Sequence, residues 1–175
     1  MSTQTSGISD PKPPVIITHF NRFNPQRSTG LKCHCLIHLR LLDPAQKLLD
    51  EFTDETSEKL KLSGIIKFYK KSTKDAQKSL LKSAKLCDSD WETFYYLGKL
   101  YLSTGDETRG VKCLRKSCSI KNTVKNVELV CQYLSAEDTL QILDQNLTIA
   151  SNKPFFQFRR GLSYMELDRH WSENS

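Results

Sequence analysis

The sequence predicts an all-α chain built of paired helices, and three observations carry that expectation. From about residue 54 the apolar residues recur at helical spacing rather than in alternation. No strand–turn–strand signal follows residue 43. The chain also repeats itself at a fixed interval. Gly64 and Gly98, Ala76 and Gly110, Leu80 and Leu114, Ser83 and Ser117, and Asp88 and Asn122 each stand 34 residues apart. Each match has a packing reason. A Gly in the first helix of a pair and a small residue early in the second let two helices approach closely, and the Leu fills the space between neighbouring pairs.

Residues 1–30 read as a flexible tail. Pro11-Lys12-Pro13-Pro14 favours extended geometry, and Asn24-Pro25, Ser28, Thr29 and Gly30 break any regular element after it. Residues 31–56 are poorly defined: Leu31 to Leu42 is ambiguous between helix and strand, and one helix starts at Asp43-Pro44, with Asp43 as N-cap, Pro44 at the first helical position and Leu48, Leu49 and Phe52 inward. The repeats then occupy 57–175. Leu60, Gly64, Ile65, Phe68 and Tyr69 share a face of the first helix, and Ser72-Thr73 caps the next, with Ala76, Leu80, Ala84 and Cys87 inward. Asp88-Ser89-Asp90 restarts a helix from Trp91 to about Ser103. Gly105 ends it, and Asp106-Glu107 opens another with Val111, Leu114 and Cys118 inward. Ser135 and Asp138 form a capping box for a helix ending near Ala150, and Asn152-Lys153-Pro154 starts a last helix reaching about Leu167.

The copy at 91–124 resembles the tetratricopeptide repeat. Phe94, Leu97, Gly98, Tyr101 and Gly105 stand where that unit has Trp, Leu, Gly, Tyr and its turn Gly. Gly110, Leu114 and Ser117 fill the small, large and small positions of the second helix, and Asn122 replaces the closing Pro. The copy at 57–90 keeps Gly64, Ala76, Leu80 and Ala84 but has Lys67 in place of Tyr. Residues 125–153 form a degenerate pair, and a truncated copy at 154–175 carries Gly161, Tyr164 and Leu167. The resemblance implies a short right-handed α-solenoid. A second resemblance covers roughly residues 76–168. Leu81 to Leu86, Asp90-Trp91, Phe94 to Gly98, Gly105 to Lys116 and Phe158 to Tyr164 resemble the tetratricopeptide scaffold subunit of the superkiller (Ski) complex. That family implies a non-enzymatic scaffold holding an RNA helicase and a propeller-type subunit, in the cytoplasm, feeding RNA to the exosome. The length and residues 1–56 depart from it.

Composition narrows the class without naming a function. In 175 residues, 38% are hydrophobic and 26% charged, with 7 Gly and 6 Pro, which excludes collagen-like and wholly disordered chains. No run of 18 apolar residues exists and the first ten residues are polar, so neither a membrane span nor a secretory leader is expected. The six Cys then read as reduced thiols of an intracellular protein, cytoplasmic or nuclear, and Asn146-Leu147-Thr148 as an idle glycosylation acceptor. The net charge of +6 is local. Residues 1–56 balance, residues 57–124 hold 15 Lys and Arg against 7 Asp and Glu, and residues 125–175 hold 5 against 7. A Lys-rich solvated face accounts for this, with RNA binding through 57–124 as the alternative.

No catalytic motif is present. The chain lacks a phosphate-binding loop, a dinucleotide fingerprint, His-Glu-x-x-His and Gly-x-Ser-x-Gly, and no catalytic residue or cofactor is expected. Cys33-His34-Cys35 with His38 is the single cluster of metal-ligand types. It has no second Cys pair at finger spacing, so small apolar Cys and incidental His are expected rather than a metal site. Partner binding is placed on the concave groove at Lys61, Ile65 and Phe68, at Tyr95, Lys99 and Leu102, and at Phe158, Leu162 and Met165. The pairs Lys61/Ile65 and Tyr95/Lys99 lack the Asn with which some such repeats clamp chaperone tails, and the mixed apolar and cationic groove suits a protein segment. Tyr95 and Lys99 are expected to be dispensable for stability.

Overall fold

Side-chain caps set most of the helix starts in the computed structural model, which describes residues 25–146, 148 and 153–173. The described residues hold helices α1 (Pro25–His38), α2 (Leu42–Asp50), α3 (Ser57–Tyr69), α4 (Thr73–Leu86), α5 (Trp91–Ser103), α6 (Glu107–Ile120), α7 (Val124–Val130), α8 (Ala136–Gln145) and α9 (Pro154–Glu173), joined by turns and loops, and include no strand. Thr56 accepts from the Lys59 amide at 3.2 Å, Asp90 from Glu92 at 3.1 Å, Asp106 from Arg109 at 3.0 Å and Ser135 from Asp138 at 3.2 Å. Each cap fills an otherwise orphaned amide at the helix start and is worth about 1 kcal/mol. Thr123 and Asn126 make a reciprocal capping box that lets the seven-residue α7 begin.

The helices form antiparallel pairs, α1 with α2, α3 with α4 and α5 with α6. Successive pairs stack through α2 on α3 and α4 on α5, and the first helices touch as α1 on α3 and α3 on α5. This is a short right-handed solenoid of tetratricopeptide-type helix-turn-helix units. The 34-residue period recurs in the atomic contacts. A Cβ on Gly64 would lie 2.6 Å from Leu80 Cγ, and one on Gly98 2.6 Å from Leu114 Cγ. Ser83 Oγ donates to the Ser57 carbonyl and Ser117 Oγ to the Trp91 carbonyl, both at 2.8 Å. The turns match as well. Lys71 (φ 61°) and Gly105 (φ 80°), 34 residues apart, both take the left-handed conformation that ends a first helix. Gly105→Ala should therefore lower stability by about 1 kcal/mol, read from thermal melts, because a Cβ is disfavoured there even with open space around it.

Three expectations for the N-terminal part are corrected. Residues 25–30, assigned to the tail, belong to α1, and residues 31–56 contribute to two helices rather than one. Pro25 suits a first helical turn. Gly30 is tolerated because α1 packs close to α3 there, where a Cβ would meet Glu58 Oε1 at 2.6 Å. Cys33 and Ile37 bury against Ala45 and Leu49, which settles Leu31 to His38 as helix. Asp43 does not cap α2. It lies in the first turn and accepts from Lys70 Nζ at 2.7 Å. Residues 1–24 of the expected tail lie outside the described residues.

Beyond α6 the regular pairing lapses. The helix expected to reach Ala150 stops at Gln145, where Asn146 Nδ2 takes the Ile142 carbonyl that a further backbone turn would use. α8 packs mainly on α9, and a second core of Leu114, Cys118, Val127, Val130, Cys131, Leu143 and Phe156 replaces the first, which runs from Cys33 to Tyr101. Arg159 bonds the Cys131 carbonyl and Arg160 pairs with Asp144, so polar bonds also hold α9. Gly161 and Tyr164, assigned to repeat packing, do not serve it: a Cβ on Gly161 would meet nothing within 4 Å, and Tyr164 is 52% exposed. Phe94 is half-buried, while Leu97, Gly98, Tyr101, Gly110, Leu114, Ala76 and Leu80 are buried as expected. No helix among the described residues is long and apolar enough to cross a membrane.

Candidate partner-binding site

The nine expected groove residues do not form one surface. Ile65 is 1% exposed and lies in the first core, because α1 packs on α3 and covers it. Leu102 turns towards α6, where its side chain occupies the space beside Gly110. Lys61 folds beneath the start of α5, its Nζ 3.0 Å from Asp90 and 3.4 Å from Glu92. Phe158 and Met165 are exposed and Leu162 is half-buried on α9, away from the other six. Phe68, Tyr95 and Lys99 are brought together, and they draw in residues that the 34-residue register does not mark.

Around them the first helices of successive pairs shape a pocket of about 310 Å³ lined by Ile37, His38, Arg40, Tyr69, Tyr95, Tyr96, Lys99 and Lys125. Tyr96 is its floor. Its ring meets those of Phe68, Tyr69 and Tyr95 edge-on at 5.9, 6.0 and 5.3 Å between centroids, and its hydroxyl is 3.0 Å from that of Tyr69. Burial, then the bond to Tyr69, pushes the Tyr96 phenol well above its ordinary range, so it stays a neutral hydroxyl. Lys99 Nζ stands 5.5 to 6.0 Å from three of these rings, and the Arg40 guanidinium lies 3.8 Å from the Tyr69 centroid. Such contacts are worth about 0.5–1 kcal/mol each at exposed sites. They also hold the cations over the pocket. Among the described residues no carboxylate lies within ion-pair distance of Arg40, Lys99 or Lys125. Glu92 and Glu128 lie near enough to act on Tyr95, but no carboxylate pairs with the three cations among the described residues, so an aromatic wall under them can seat an acidic group.

Sequence reasoning missed Arg40, His38, Tyr69, Tyr96 and Lys125 as groove residues. Tyr69 was legible as part of an inward helix face, whereas nothing in the sequence singled out Tyr96, and the edges both present to the pocket are a tertiary matter. Lys125 opens the irregular α7, where a 34-residue offset no longer points to the equivalent position.

Beside the pocket the Cys33-His34-Cys35 cluster comes apart. Cys33 is buried and its Sγ lies 3.5 Å from the Ala45 carbonyl oxygen, while Cys35 is exposed. His34 Nε2 is 3.0 and 3.1 Å from the two Glu92 oxygens, and the His34 and His38 rings lie 4.6 Å apart. Burial works against the Glu92 charge, but the His34 bond and the Lys61 charge outweigh it and leave the carboxyl below its ordinary value. Burial likewise opposes the Lys61 charge, and Asp90 and Glu92 together hold its ammonium above the ordinary value. His38 is lowered, first by desolvation and then by His34 and Lys125. Burial pushes the thiols of Cys33 and Cys131 up to about 11 and that of Cys118 up to about 12. With a maleimide at pH 8, Cys35 should label at once and these three only on unfolding, as mass spectrometry would show. Fast labelling of Cys118 in the folded chain would contradict the second core.

No family model matches the chain, nor does any curated protein. Among solved structures it is similar to the crystal structure of MamA, a tetratricopeptide-like helical protein. The identity is 15%, the match covers 82% of this chain and 80% of that one, and the TM-score is 0.54. At that identity the likeness is one of fold, and the chain has the fold of a tetratricopeptide-type helical solenoid.

Proposed function

We propose that this chain is a non-enzymatic protein-interaction scaffold whose inner face takes an acidic segment of a partner protein. The observation that carries the reading is the pocket between α1, α3, α5 and α7, with its tyrosine wall and the cations Arg40, Lys99 and Lys125, none of which has an ion-pair partner among the described residues. A finer assignment rests on the resemblance of residues 81–116 and 158–164 to the Ski scaffold subunit. The partners would then be a helicase and a propeller-type subunit, and the role would be support of exosome-mediated RNA decay in the cytoplasm. Co-purification of the full-length gene product from cells tests this. Recovery with helicase or exosome components is expected, and recovery with chaperones or motor cargo alone would overturn it.

The pocket has its own test. Lys125→Glu, an exposed change, should weaken binding of an acidic peptide several-fold with the melting temperature little changed, and adding Lys99→Glu should bring the loss to at least tenfold, as read by fluorescence anisotropy. An unchanged affinity would move the partner elsewhere. Tyr95 is unsuitable for this purpose. It is half-buried and packs against both cores, so Tyr95→Ala should itself cost about 2 kcal/mol, contrary to the expectation from sequence. RNA binding through 57–124 has less support, because its lysines are dispersed. Lys61 is paired under α5, Lys99 faces the inner pocket, and Lys59, Lys67, Lys78 and Lys82 line a groove between α3 and α4 together with Glu55 and Asp75.

A further inference from the structure

From a separate observation, the meeting of His34 and His38 of α1 with Glu92 of α5, we propose that this chain holds one divalent transition-metal ion of the zinc class. The two histidines are four residues apart on one helix, so their rings stand side by side on one face. Glu92 enters from the first turn of α5, a helix start fixed by the Asp90 cap. One donor atom from each of the three lies within 4.8 Å of the other two.

The spacing suits shared coordination. Two ligands of a tetrahedral zinc ion, each bonded at about 2.0–2.1 Å, stand about 3.3 Å apart. His34 Nε2 and Glu92 Oε1 are already 3.0 Å apart, so an ion would replace their hydrogen bond with little movement of either. His38 is exposed and has the freedom to swing its ring the remaining distance. Lys61 touches Glu92 through Oε2 at 3.4 Å and Asp90 at 3.0 Å. It therefore acts as an outer partner that orients the carboxylate and leaves Oε1 for the ion. Two neutral imidazoles, one carboxylate and an open position make up a donor set that zinc, cobalt and nickel accept. Cys33 stands outside the set, turned to the Ala45 carbonyl in the core.

Lys61 and Lys125 lie close enough to lower the affinity, and Asp90 offsets the first of them. An ion here would tie α1 to α5, residues 58 positions apart in the chain that belong to the first and third helix pairs. His38 also lines the partner pocket, so the ion would add positive charge beside the acidic segment proposed there. The site itself does not depend on that reading.

The test is titration of the full-length chain, kept reduced with a phosphine, with cobalt(II) and then zinc. Saturation near one equivalent is expected, with visible ligand-field bands, no thiolate charge-transfer band, and displacement of cobalt by zinc. Zinc should raise the melting temperature of the wild type. His38→Gln, an exposed change whose helicity circular dichroism would verify, should weaken binding about 10–100-fold, whereas Cys35→Ser should not alter it. Absence of saturable binding, a thiolate band, or affinity unchanged in both His34→Gln and His38→Gln would each overturn the proposal.

Discussion

Gly98→Leu is expected to lower stability by about 3 kcal/mol or more, near the upper end of what overpacking costs. A Cβ alone at residue 98 would stand 2.6 Å from Leu114 Cγ, 2.7 Å from Leu114 Cδ2 and 3.2 Å from the Gly110 carbonyl oxygen. The first two atoms can move only by disturbing a fully buried side chain, and the third is backbone. α5 would have to lift from α6, uncovering the contact that defines the best-formed repeat. In a domain of this size the melting temperature should fall by roughly 6–12 °C. Gly161→Ala is the control. It lies within α9 with nothing near its missing Cβ, so Ala should be neutral or stabilise by up to about 1 kcal/mol. If the two changes shift the melting temperature alike, the close approach of α5 and α6 is wrong.

Phe156→Ala should cost about 3–5 kcal/mol of the stability that holds α9 in place. Phe156 is 1% exposed and sits in the second core with Leu143 and Val127, whereas Phe158 and Met165 on the same helix are 64% and 54% exposed. A large aromatic and two arginine bonds therefore fasten the start of α9, whereas of its later apolar residues Leu162 and Leu167 are only half-buried and Tyr164 and Met165 are exposed. Amide exchange should follow that gradient, slow near Phe156 and faster across 162–167 than across 94–102. In Phe156→Ala all of α9 should exchange fast while α5 keeps its protection. Equal protection of 162–167 and 94–102 in dilute wild-type chain would show that α9 is held along its whole length.

Local chemistry alone determined the regular centre of this protein. Asp90 and Asp106 cap, Gly105 turns, and Gly64, Leu80, Gly98 and Leu114 repeat at the period of one helix pair, so α3 to α6 could be read residue by residue. These signals are short-range, or recur at a fixed distance, and both survive in a one-dimensional string. Tertiary packing decided the ends. Pro25 to Gly30 look like breakers until α1 is seen lying on α3, and Gly161 and Tyr164 look like repeat positions until the space beside the one proves empty among the described residues and the other proves exposed. It also decided the site. Lys61 and Ile65 carry the groove register, but α1 buries one and Asp90 with Glu92 claims the other. Arg40, Tyr96 and Lys125, from three different separations, close the pocket instead. His34 and Glu92, 58 residues apart, meet for the same reason. Which side of a helix faces a groove depends on what covers it, and that cover comes from parts of the chain whose distance along the sequence has no period.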